Sequence, residues 1–326
     1  MMKEKRKGAY DMPNIAFLYR CGGATPMVLR EDHRAALRAH NPDGEVRFYE
    51  TEEEMLRDGF DAEVLISWGR FTPNEFCNRC TDLRWIQSIS AGTEGLDRLD
   101  AVRRGVPVTK MSGVHGVPMS ETTLGYILYF LRGFDQIAAD RRARRWHKPD
   151  APAPRECRDQ TVGILGLGEI GGEVARRCSG LGMRVIGCRR SPHETPFVDE
   201  VYPADEIDRV LAASDFVVCL LPHTPETERS IGAARFAAMK PTAVFINIGR
   251  GAVVDHAALA DALERGVIAG AALDALDPEP LPPESPLWDM PNVLITPHCA
   301  ADSPFYFDRA IPVICRNLDV YLQTRK

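Results

Sequence analysis

Three stretches carry side chains of complementary chemistry just past a short apolar run. "INIGRGAVVDHAAL" puts Arg250 in a glycine-flanked turn, "AALDALDPEPL" carries Asp274 and Glu279, and "NVLITPHCA" carries His298. An imidazole titrates near neutrality, so it can give or take a proton at physiological pH. A carboxylate beside it raises its pKa and favours the imidazolium, the form that donates. A guanidinium can hold a carboxylate with two parallel hydrogen bonds and polarise the neighbouring carbonyl. Singly, each has a structural reading: a strand-end histidine, a surface cation, part of an acidic loop. At the ends of successive strands they form a set suited to moving a proton on and off an oxygen next to a carboxylate.

A second group points to what works beside them. "GILGLGEIGG", residues 163–172, sets Gly166, Gly168 and Gly171 at G-x-G-x-x-G spacing. The apolar run "TVGIL" precedes them, and Glu169 and Ile170 open an amphipathic stretch after them. Strand, glycine turn and helix together predict a dinucleotide site. Gly166 permits the turn, Gly168 lets the backbone approach a pyrophosphate, and Gly171 allows close helix packing. A bland reading, a glycine-rich turn that holds no nucleotide, stands beside this one. Next to a nicotinamide, the Arg–Glu–His set would interconvert a ketone and an alcohol.

The end of the second strand bears on which dinucleotide. A carboxylate there accepts hydrogen bonds from the adenosine ribose. Here the strand ends "RVIGCRRSPHE", and Arg189, Arg190 and Ser191 offer donors instead. An Asp would repel a ribose 2′-phosphate, whereas an Arg fork can hold it. NADP(H) is favoured, and NAD(H) stays open, with both arginines solvated, as the alternative.

Elements must position these groups. A chain of 326 residues predicts two domains. It is 44% hydrophobic and 26% charged with a net charge of -6, which suits a globular protein and gives no footing for broad nucleic-acid or membrane binding. The longest apolar run, Leu124 to Leu131, is far short of a membrane span. "MMKEKRKGAY" lacks the apolar segment of a secretion signal and reads as a frayed end. Nine cysteines without framework spacing read as reduced thiols in a cytoplasmic protein. Cys77-x-x-Cys80 stands alone, so no metal site is expected.

Short apolar runs at 15–19, 63–68 and 83–90, with polar helical stretches between, predict a small α/β unit. From Pro118 an apolar stripe at helical spacing predicts one long helix joining the domains, ended by the linker "PDAPAPRECRD". From Thr161 six apolar runs, "TVGILG", "RVIGC", "DFVVCLL", "AVFINI", "AGAALDA" and "NVLITP", alternate with amphipathic stretches. That rhythm predicts a doubly wound parallel sheet. The division expected is 1–108 plus 299–326 for the smaller domain and 109–298 for the dinucleotide-binding one.

The chain resembles the D-isomer-specific 2-hydroxyacid dehydrogenases, and within them the NADP-preferring glyoxylate and hydroxypyruvate reductases. "SAGTEGLD", "GILGLGEIGGEVARR", "LPHTPETERSIG", "FINIGRGAVVDHAALADAL" and "GAALDALDPEPLPPESPLWDMPNVLITPH" carry the likeness, in order, over nearly the whole chain. The resemblance implies an α/β protein of two Rossmann-like domains with doubly wound parallel sheets and a cleft between them. It implies that Arg250, Glu279 and His298 are catalytic. It implies that Asp274 meets the nicotinamide carboxamide, that Leu221, Pro222, Thr227, Ile248 and Gly249 line the cofactor, and that backbone amides of Ala91, Gly92 and Thr93 receive a substrate carboxylate. "SWGR" matches a second substrate loop, in which Trp68, Gly69 and Arg70 would select the side chain; Trp68 as a core residue is an equal reading. The expected activity is reduction of a small 2-oxo acid by NADPH to a D-2-hydroxy acid, with His298 as proton donor, in a homodimer formed through the long-helix region. Two rivals stay open: an NAD-dependent relative acting on another substrate, and a non-enzymatic nucleotide sensor of the same fold.

Overall fold

Runs such as Ile15–Leu18 and Phe216–Cys219 are apolar at every position and wholly buried. That is how strands of a parallel sheet read when helices cover both faces. The computed structural model describes residues 12–19, 27–92, 95–148 and 154–325, and divides the chain into two units, Met1–Val114 with Asp302–Lys326, and His115–Ala301.

The first unit holds β1 (Ile15–Leu18), β2 (Val46–Tyr49), β3 (Val64–Ser67), β4 (Trp85–Ser88) and β5 (Val108–Thr109). They pair in parallel in the order β2-β1-β3-β4-β5. The C-terminal helix Tyr306–Thr324 completes it, burying Tyr306, Phe307, Ala310, Ile311, Ile314 and Leu318 along one stripe. Those residues share a core with Phe17, Leu37, Ile66 and Trp85.

The second unit holds β6 (Thr161–Leu165), β7 (Arg184–Arg189), β8 (Glu200–Pro203), β9 (Phe216–Cys219), β10 (Val244–Asn247), β11 (Gly270–Leu273) and β12 (Val293–Ile295). All are parallel, in the order β12-β11-β10-β9-β6-β7-β8. The order reverses between β6 and β9, so the loops leaving β6, β9 and β10 meet at the carboxyl edge where such sheets take ligands. The two parallel sheets are the doubly wound α/β architecture expected.

Two expectations are corrected. The second sheet has seven strands, because β8, "EVYP", is a partly exposed edge strand without an apolar run. The long helix is two helices, Gly116–Leu131 and Phe134–Arg142. Gly133 sits between them at φ 63, where its backbone turns left-handed, and the Gly133 amide closes back on the Phe130 carbonyl. No helix among the described residues is long and apolar enough to cross a membrane.

Candidate active site

The site grows from the end of β6. Gly166 adopts φ 107, a region that side chains disfavour, and the amides of Gly166 and Leu167 both donate to the Cys188 carbonyl at the end of β7. The chain then enters the helix Glu169–Gly180. A Cβ on Gly171 would lie 2.4 Å from the Gly166 carbonyl oxygen, so helix and turn touch backbone to backbone. A Cβ on Gly168 would meet nothing within 4 Å. The turn is therefore closed behind Gly171 and open in front of Gly168, with Glu169 exposed and Ile170 half-buried at the helix start. An open glycine face at a helix N-terminus fits a pyrophosphate.

At the end of β7, Arg189 is half-buried and Arg190 and Ser191 are exposed. The donor set fits a phosphate better than a bare ribose diol. Further round the edge, the Thr227 hydroxyl donates to the Pro222 carbonyl at 2.6 Å and accepts from the Thr224 amide at 2.8 Å, closing the loop after Leu221. A Cβ on Gly249 would lie 3.1 Å from the Cys219 and Leu221 carbonyls, so the loop after β10 presses on the loop after β9. Ile248 is buried between them.

Asn247, the last residue of β10, organises the two loops beyond it. It is fully buried; its amide nitrogen donates to the carbonyls of Arg250 (3.1 Å) and Ala275 (3.0 Å), and its oxygen accepts from the Gly249 amide at 3.2 Å. One side chain thus ties the Arg250 turn to the loop after β11. A Cβ on Gly251 would sit 2.0 Å from the Leu276 carbonyl, so only glycine allows the two loops to approach this closely.

Glu279 lies at the end of that second loop. Its Oε1 accepts from the Leu276 amide at 3.0 Å, and both carboxylate oxygens lie 2.9 Å from His298 Nδ1. The Glu279 side chain is 21% exposed and that of His298 48%. His298 adopts φ 52, and its amide donates to the Asp274 and Thr296 carbonyls, each at 3.0 Å. The Glu279 hydrogen bond holds the His298 pKa above its usual value; burial and the charge of Arg250 oppose it. A carboxylate only accepts, so Nδ1 carries the hydrogen and Nε2 is the nitrogen left to exchange a proton.

Asp274 anchors the same turn. Buried to 3% exposure, its Oδ1 accepts from the Thr296 hydroxyl (2.6 Å) and the Cys299 amide (2.9 Å), and its Oδ2 from the Ala300 amide (3.0 Å). The Thr296 hydroxyl also meets that of Tyr126, from the helix Gly116–Leu131. Arg250, Asp274, Glu279 and His298 therefore belong to one framed cluster in the second unit. Asn247, Thr296 and Tyr126, which frame it, do not stand out in the sequence reading. Asn247 has a signal there all the same: it is the polar residue closing an otherwise apolar strand.

The other expected positions lie in the first unit. Trp68 is half-buried; its indole donates to the Tyr19 carbonyl at 2.9 Å, and its ring lies 5.3 Å from that of Tyr306. The Ser88 hydroxyl accepts from the amides of Gly69 (3.3 Å) and Ser90 (3.1 Å), and a Cβ on Gly69 would lie 3.4 Å from the Gly92 carbonyl. The "SWGR" and "SAGTEGLD" loops are thus neighbours, with Ala91 and Gly92 half-buried. The Arg70 side chain and Thr93 lie outside the described residues. Among the described residues no group of three or more His, Cys, Asp or Glu is placed to hold a metal ion.

A doubly wound unit with a glycine turn and an Arg–Glu–His cluster at its ligand edge defines a dinucleotide-dependent oxidoreductase. The family described as "D-isomer specific 2-hydroxyacid dehydrogenase, NAD binding domain" matches residues 124–300, and the chain belongs to it. It is an NAD(P)-dependent oxidoreductase of that family. Over 275 residues, 81% of this chain and 77% of the relative, it is 34% identical to a glyoxylate reductase of Korarchaeum cryptofilum. A D-isomer specific 2-hydroxyacid dehydrogenase of Xanthobacter autotrophicus, solved with NADPH and MES, is 32% identical with a TM-score of 0.81, covering 97% of this chain and 96% of the other. An NADPH-dependent glyoxylate/hydroxypyruvate reductase of Sinorhizobium meliloti, solved with NADP and sulfate, is 32% identical with a TM-score of 0.76, covering 93% and 94%.

Proposed function

We propose that this protein is an NADPH-dependent reductase of small 2-oxo acids of the glyoxylate and hydroxypyruvate class, yielding D-2-hydroxy acids. The observation that carries the proposal is the bond from His298 Nδ1 to both oxygens of Glu279, with Nε2 left to exchange a proton. When bound, NADPH supplies the hydride that adds to the carbonyl carbon. His298 donates the Nε2 proton to the carbonyl oxygen, and Glu279 stabilises the imidazolium beforehand. Arg250 holds the substrate carboxylate and polarises the adjacent carbonyl. In the first unit, the amides of Ala91, Gly92 and Thr93 are assigned to a substrate carboxylate, and Trp68, Gly69 and Arg70 to the substrate side chain. Asp274 is assigned to the nicotinamide carboxamide through the lone pair its three internal bonds leave unused.

Preference for NADPH rests on Arg189, Arg190 and Ser191, and on the absence of a carboxylate at the end of β7. The solved relatives named with NADPH or NADP support it. The exposed Leu128, Phe134 and Ile137 on the two helices after His115 support a homodimer through that region. Initial rates with glyoxylate and hydroxypyruvate, run in parallel with NADPH and NADH, test the proposal. Turnover with a large NADPH advantage is the expected result; equal rates would remove the cofactor assignment, and no turnover with either would remove the substrate class.

A further inference from the structure

The loop after β7 contains a histidine that the reaction does not use. Arg189 Nη1 lies 2.7 Å from His193 Nε2, and His193 Nδ1 lies 3.1 Å from the Ser191 carbonyl oxygen. The Thr195 hydroxyl donates to the His193 carbonyl at 3.1 Å and holds the far side of the turn. We propose that His193 is a positioning residue for cofactor choice: a neutral acceptor that aims the Arg189 guanidinium at the ribose 2′-phosphate. This rests on the NADPH reading above.

The proton arrangement is set by the partners. A guanidinium only donates, so Nε2 must present its lone pair; a carbonyl only accepts, so Nδ1 must carry the hydrogen. Both bonds require the same neutral tautomer. Among the described residues Arg189 makes no ion pair, and its hydrogen bond goes to this uncharged ring.

That choice of partner has a chemical consequence. An Asp or Glu at position 193 would orient the guanidinium equally well, but it would also neutralise it and repel an incoming phosphate. A neutral imidazole uses one of the five N–H groups, restrains a long side chain, and leaves the positive charge and the remaining donors for an anion. Recognition by a planar fork depends on its orientation, so restraint before binding raises affinity for the phosphate in particular. Nothing in this arrangement bears on the adenine or on the 5′-phosphate.

The probes are adenosine 2′,5′-bisphosphate and 5′-AMP, titrated calorimetrically at pH 8 into the full-length protein. The variants are His193→Leu, His193→Gln and Arg189→Ala. The wild type should prefer the bisphosphate. His193→Leu should lose about three- to tenfold of that preference, the range expected for one hydrogen bond, with 5′-AMP affinity unchanged. His193→Gln, whose side-chain carbonyl can reach the position of Nε2, should restore it. An unchanged preference in His193→Leu, equal losses for both nucleotides, or failure of His193→Gln to restore would each overturn the role of His193. Arg189→Ala separates the two levels. If it abolishes the preference while His193→Leu does not, only this inference fails. If Arg189→Ala leaves the preference intact, the NADPH assignment fails with it.

Discussion

Glu279 grips His298 with both carboxylate oxygens, each 2.9 Å from Nδ1, while its Oε1 also takes the Leu276 amide. The carboxylate is thus held from its own loop before it reaches the histidine. The imidazole can neither flip nor change tautomer without losing that bond, so Nε2 stays as the nitrogen able to exchange a proton.

His298→Asn keeps a polar side chain at the strand end but removes the titrating nitrogen. Reductive turnover should fall by about 10²–10⁴-fold, the range for loss of a general acid. NADPH affinity, followed by quenching of protein fluorescence, should be unchanged. Loss of both together would make His298 a structural residue.

The pH dependence has a definite sign. The Glu279 bond raises the His298 pKa above 6.5. In the proposed reaction the imidazolium is the donor, so reductive kcat/KM should fall as pH rises through the raised value, and alcohol oxidation should rise there instead. Glu279→Gln removes the main cause of the shift, so both limbs should move to lower pH. The same linkage makes the pair's contribution to stability full below the unfolded pKa and lost as pH rises through the folded one. A profile that does not move in Glu279→Gln would mean that another group sets it.

Asn247→Ala removes the buried side-chain amide, leaving the Ala275 carbonyl without its donor and the Arg250 carbonyl with the Val253 amide at 3.4 Å. The expected cost is about 1–3 kcal/mol in chemical denaturation, the penalty for unsatisfied buried polar groups. kcat/KM should fall as well, because the Arg250 turn loses its tie to the loop that carries Glu279. A variant as stable and active as the wild type would show that the tie is dispensable.

Arg189→Ala should raise the KM for NADPH by about tenfold or more, the effect of losing a charge-assisted hydrogen bond. The KM for NADH should stay as it was. Parallel changes for both cofactors would assign Arg189 to the fold of the loop rather than to the phosphate.

Much of this site is legible along the chain because a doubly wound sheet puts its ligand residues in one register. Arg250, Asp274, Glu279 and His298 each follow an apolar run within a few residues, and parallel strands bring those ends to one edge. The glycine turn is legible for the same reason, since backbone conformation at Gly166 and close approach at Gly171 depend on residue type alone. Other features give no local signal. β8 lacks an apolar run because it is an edge, and Gly133 splits a stripe whose helical spacing continues across it. The framing of the site is further from view still. Tyr126 meets Thr296 across 170 positions, and Asn247 reaches Ala275 across 28. Side-chain type and strand spacing determined which residues stand at the edge; which buried donor meets which buried acceptor was decided only by the packing of helix, strand and loop. A polar group removed from water must find its partner wherever the fold has put one.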